Sequence, residues 1–132
     1  MKAVLLIGRI LFSWIFLMTP MMHFTQKGID YAASKGVPVP SFLVPLSGVL
    51  AFLGAVSIII GFKARIGAWL IVIFLIPVSF FMHDFWNVAD PMTKGMQMAL
   101  FTKNIAMLGG ALIIAYFGSG PLSIDPRKEV KI

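Results

Sequence analysis

The chain has 132 residues, of which 59% are hydrophobic and 12% charged, and its mean hydropathy is +0.95. A soluble domain carries about 25% charged residues, so this deficit, gathered into long apolar runs, excludes an ordinary soluble enzyme and indicates an all-α integral membrane protein. The chain has no cysteine, which excludes disulfides and thiolate sites, and its net charge of +6 is scattered through loops, which suits orientation in a bilayer rather than nucleic acid.

The first apolar run, AVLLIGRILFSWIFLMT, predicts a span over about residues 3–20, ended by Pro20. It is longer than a signal-peptide apolar core and no A-x-A-like site follows, so it reads as a retained helix. Arg9 lies about 10 Å in from its start at ~1.5 Å per residue. The guanidinium either snorkels to the head groups or turns inward to a backbone carbonyl or a ligand oxygen. Arg9, Ser13 and Phe16 share one helix face by their spacing.

Next comes MMHFTQKGIDYAASKGVPVP, with a short interfacial helix predicted around Ile29 to Ser34 and broken by Gly36 and two prolines. A second span covers about residues 42–61, and the tight turn GFKAR leads to a third over about 66–85, bent at Pro77. A fourth, over about 93–118, takes Lys103 and Asn104 into the membrane. The result is a single membrane domain, a four-helix up-down bundle. Lys2, Lys63, Arg65, Arg127, Lys128 and Lys131 fall on one side, and Lys27, Lys35, Lys94 and Lys103 on the other. The positive-inside rule therefore places both termini in the cytoplasm.

The third span ends in FFMHDFWN. His83 lies about 25 Å from the start of that span and Lys103 about 21 Å from the end of the fourth, so the two share a depth near the outer boundary. Asp84 is the expected partner of Lys103, Asn104 can bond across helices, and His83 and Trp86 are three apart on one helix face. Together with Arg9, these residues predict a ligand-binding site: a polar pocket for a planar carbonyl compound such as a quinone head group. Each also has a structural reading. Trp86 suits an aromatic belt, Asp84 with Lys103 a register-fixing pair, and His83 a helix cap. Two histidines on one side raise haem as a lesser alternative, but no close-spaced ligand pair such as H-x-x-x-H occurs, and no metal site is predicted.

H-D-F-W at His83 to Trp86, K-N at Lys103 and Asn104, and G-x-G-P-L-S-x-D from Gly118 to Asp125 make the chain resemble the DoxX family from Arg9 to about Asp125. LSGVLAFLGAVSIIIGFKARIGA adds to that likeness. The resemblance implies a small four-helix protein of the bacterial inner membrane. Its relatives include a membrane subunit of thiosulfate:quinone oxidoreductase and proteins linked to membrane redox complexes and oxidative-stress handling. The family commonly has a glutamate in the second span where this chain has Ala51, so neither that residue's chemistry nor the thiosulfate activity carries over. The functional expectation is a redox-associated subunit or accessory that binds a quinone-like ligand. It would work beside a membrane redox partner or as a homo-oligomer, since no cofactor fingerprint is present to supply electrons. A non-catalytic scaffold is the rival, and a small-molecule transporter a weaker third.

Overall fold

A computed structural model describes residues 1–125; Arg127, Lys128 and Lys131, counted above in the charge balance, lie outside the described residues. The described chain is helical: α1 (Lys2–Met18), α2 (Pro20–His23), α3 (Gln26–Ser34), α4 (Pro40–Ile60), α5 (Ala64–Met82) and α6 (Pro91–Phe117), with a 3₁₀ turn at Phe85–Asn87 before α6. Four segments are long and apolar enough to cross a membrane: Lys2–His23, Pro40–Ile60, Ala64–Asn87 and Pro91–Phe117. The 21 residues of α4 match a hydrocarbon core of about 30 Å at ~1.5 Å per residue. The 27 residues of α6 are longer than the core requires, so this helix tilts or extends beyond it.

Helix α4 packs against α1 on one side and α5 on the other, and α5 packs against α6. Small residues let α4 and α5 approach closely. A Cβ on Gly54 would fall 2.7 Å from the Gly67 carbonyl oxygen, and one on Gly67 2.9 Å from that of Gly54. Ala51, Ala55, Ala68 and Ala111 are buried around the larger Phe16, Ile58, Ile71 and Leu75, which fill the remaining volume. Phe12 of α1 lies over Gly110 of α6 and joins the two ends of the helix row. Leucines, isoleucines and phenylalanines exposed along all four spans face where lipid must be.

The α1 face proposed from spacing, Arg9–Ser13–Phe16, is the buried one. Arg9 is 4% exposed and points inward. Its Nη2 donates to the carbonyls of Leu122 and Pro121, which tethers the segment after α6 to the bundle. The same segment adds backbone bonds from Ile124 and Asp125 to the carbonyls of Ile60 and Gly61, and the Asp125 carboxylate accepts from the Lys63 amide. One face of the bundle thus gathers the start of α1, the α4–α5 turn and the segment that follows α6.

Gly61 is the tightest point of this junction. It ends α4 at φ 69°, a left-handed conformation that favours glycine, and a Cβ there would lie 2.2 Å from the Ser123 Cβ. Gly61→Ala is therefore expected to lower the unfolding free energy in detergent by about 1–2 kcal/mol from the backbone alone. It should also release the segment after Gly118 to faster proteolysis, whereas Gly109→Ala, in open space, should do neither.

Candidate functional site

The residues expected to form one polar pocket divide into separate contacts. Helix α5 stops at Met82, and His83 leaves helical geometry at φ −123°, ψ 45°. His83 and Trp86 therefore do not share a helix face. His83 Nδ1 lies 2.9 Å from Gln97 Oε1 and ties the end of α5 to α6. Trp86, 47% exposed, packs edge-on to Phe85 and Phe101 and tilted against Phe80.

Asp84 does not meet Lys103. Its Oδ1 accepts from Lys35 Nζ at 2.8 Å and its Oδ2 from Asn87 at 3.2 Å. The reason is the register of α6, which buries Gln97, Asn104 and Ala111, seven residues apart, toward its neighbour. Lys103 is about 100° round the helix from that stripe and is exposed. Asn104 is buried, and its side chain makes no hydrogen bond among the described residues. Gln97 was not anticipated from the sequence, although the seven-residue spacing from Asn104 to Ala111, extended backwards, reaches it. Among the described residues no group of three His, Cys, Asp or Glu side chains comes together to hold a metal ion.

The Lys35–Asp84 pair is the clasp of a strap. Past Pro20 the helix of α1 continues as α2, and after Phe24 the chain turns into α3, crosses α4 and is pinned at its far end to the end of α5. Thr25 caps α3 by accepting from the Gly28 amide at 3.1 Å. Gly28 is required there, because a Cβ would collide with the Met22 carbonyl. Beneath the strap is a cavity of about 500 Å³ between α2–α3, α4 and α5. Its walls are mostly apolar, including Val44, Leu50, Phe74 and Val78. Pro77 also lines it, and by lacking an N–H leaves the Ile73 carbonyl, beside its ring, without the usual helical donor.

Of the predicted site residues, Arg9, His83, Asp84, Trp86, Lys103 and Asn104, none lines this cavity. Its polar groups are His23, Lys27, Tyr31 and Ser47. His23 sits against Gly48, where a Cβ would lie 2.8 Å from the histidine Cβ, and its ring centroid is 5.8 Å from that of Phe74. Sequence reading set both histidines on one side but gave His23 no cavity, because the strap's path over α4 is a tertiary fact.

Fold and site together define a multi-pass membrane protein, a helical bundle with a strapped apolar cavity. The DoxX family model matches residues 4–84. Inner membrane protein YphA of Escherichia coli (strain K12) is 30% identical over 125 residues, covering 93% of this chain and 89% of that protein. Inner membrane protein YqjF of the same organism is 31% identical over 120 residues, covering 91% and 88%. The Surfeit locus protein 4 homolog of Schizosaccharomyces pombe is 26% identical over 126 residues but is covered over only 37% of its length. No solved structure matches. The chain belongs to the DoxX family and is a multi-pass inner-membrane protein. The match ends at Asp84, so the K-N pair and the G-x-G-P-L-S-x-D segment lie beyond it.

Bonding to Asp84 raises the Lys35 ammonium above the usual lysine range. While Asp84 is ionised, the clasp's contribution is therefore complete below the ordinary lysine pKa of about 10.4 and is lost as pH rises through the raised value. At neutral pH a double-mutant cycle of Lys35→Met and Asp84→Asn, read by thermal unfolding in detergent, is expected to give a coupling of about 0.2–1 kcal/mol. The cycle of Asp84→Asn with Lys103→Met should give none.

Proposed function

We propose that the protein is a binding or accessory subunit that holds a quinone-like apolar molecule beneath the α2–α3 strap and presents it to a membrane redox partner. The cavity carries this reading: about 500 Å³ is the size of small-molecule sites, and its mostly apolar walls with a few polar groups have their composition. The strap and the cavity lie opposite the face that gathers the start of α1, the α4–α5 turn and the segment after α6, which, with the orientation expected from charge, supports a ligand toward the outer side. This chain brings no cofactor fingerprint to the cavity, so its part is to bind and position, and electrons belong to the partner.

A scaffold reading has its own support. His83 and Asp84 are committed to Gln97 and Lys35, which is how residues that only fix helix register behave. The two readings separate on a variant that fills the cavity. Val44, 8% exposed on the cavity wall, is replaced by tryptophan. With protein purified in mild detergent, solvent extraction and mass spectrometry of the wild type should recover a near-stoichiometric quinone. Val44→Trp should reduce the recovered amount at least tenfold with little change in unfolding temperature. Phospholipid alone, in both proteins alike, would transfer the assignment to a scaffold.

A further inference from the structure

The donors and acceptors inside the cavity are not balanced. His23 Nδ1 lies 2.8 Å from the Thr19 carbonyl oxygen. A carbonyl can only accept, so Nδ1 must carry the hydrogen, and in the neutral ring Nε2 is then a bare lone pair. Nε2 has no hydrogen bond among the described residues, and it is not among the sealed, unpartnered polar atoms. Ser47 repeats the pattern, because its hydroxyl donates to the Val44 carbonyl at 2.7 Å and leaves its own lone pairs unused. The Ile73 carbonyl beside Pro77 is a third acceptor without its helical donor. Lys27 and Tyr31 of α3 also line the cavity and carry donors, and both side chains are exposed. At His23 and Ser47 the side-chain hydrogen goes to the backbone and lone pairs remain.

We propose that the cavity beneath the strap selects an apolar molecule bearing a hydroxyl donor, received by His23 Nε2 and Ser47 Oγ, over the same molecule with only carbonyl or ether oxygens. The inference rests on the apolar-ligand reading above and adds its specificity. A carbonyl-only head group against His23 and Ser47 brings further lone pairs to groups that already present lone pairs, so its oxygens there would be desolvated without a partner. For a quinone pair, the site therefore holds the reduced, dihydroxy form. A lipid alcohol such as a diacylglycerol offers the same donor from a different source.

The test uses the full chain in phosphatidylcholine nanodiscs and titrates four probes: decylubiquinol under anaerobic reductant, decylubiquinone, the dimethyl ether of the quinol, and dioctanoylglycerol. The dimethyl ether keeps the ring and tail and removes only the donors. The quinol is expected to bind about tenfold more tightly than the quinone or the ether, the equivalent of one hydrogen bond of about 1.4 kcal/mol. His23→Phe should erase that preference and leave ether binding unchanged, and Ser47→Ala should weaken it in part. Unfolding temperature serves as the control for both variants. Tighter binding of dioctanoylglycerol with the same dependence on His23 supports the proposal and makes a lipid alcohol the occupant. Equal binding of quinol and ether, or a preference that survives His23→Phe with Ser47→Ala, overturns the proposal and leaves the apolar-ligand reading standing. If the folded wild type binds none of the four probes, both fall.

Discussion

A hydrogen-bonding group that this chain carries into hydrocarbon finds little partner outside the chain, and much of the architecture follows from that constraint. Arg9 shows it most strongly. A guanidinium in the bundle needs acceptors, and the segment after α6 supplies them for Nη2 by folding back to present the carbonyls of Pro121 and Leu122, while Nε and Nη1 are buried without a partner among the described residues. That return brings Asp125 to the Lys63 amide and fills the space over Gly61. Ser79 and Thr102 satisfy themselves locally by donating to the carbonyl four residues back. His23 does the same across one turn, and in doing so leaves its other ring nitrogen with a lone pair.

The strap serves the same end at the opposite face. The connection from α1 to α4 is long enough to lie across the bundle, and α3 has only a narrow apolar side, with Ala32 buried against it. Lys35 anchors the far end on Asp84 while the near end follows directly from α1. A short helix held at both ends bridges the groove between α4 and α5 without filling it. The space left is the cavity, and Pro77 adds to it because its ring cannot sit in a straight, fully bonded helix.

Small residues explain why the rest of the bundle is solid. Gly54 and Gly67 bring α4 and α5 into backbone contact, and Ala51 stands fully buried at the position where the family resemblance led to an expected glutamate. An acid there would sit among Phe16, Ala55 and Leu75, in the most apolar part of the core. This chain has packing at that position.

The sequence by itself determined the helical spans, their up-down order and the shared face Arg9–Ser13–Phe16, whose inward turn the structure decided. Each follows from local quantities: the length of an apolar run, the breakers that end it, and the 3.6-residue period. The stripe Gln97–Asn104–Ala111 was legible by the same period once Gln97 was included. Only the tertiary structure decided which charge met which. Asp84 lies at the depth of Lys103, but depth along the membrane normal says nothing about rotation around a helix. Rotation turned Lys103 outward, while a strap from 49 residues earlier in the chain delivered Lys35. The cavity was hidden for the same reason: it is made by the path of a connection over helices whose order, and not whose lateral placement, hydropathy encodes.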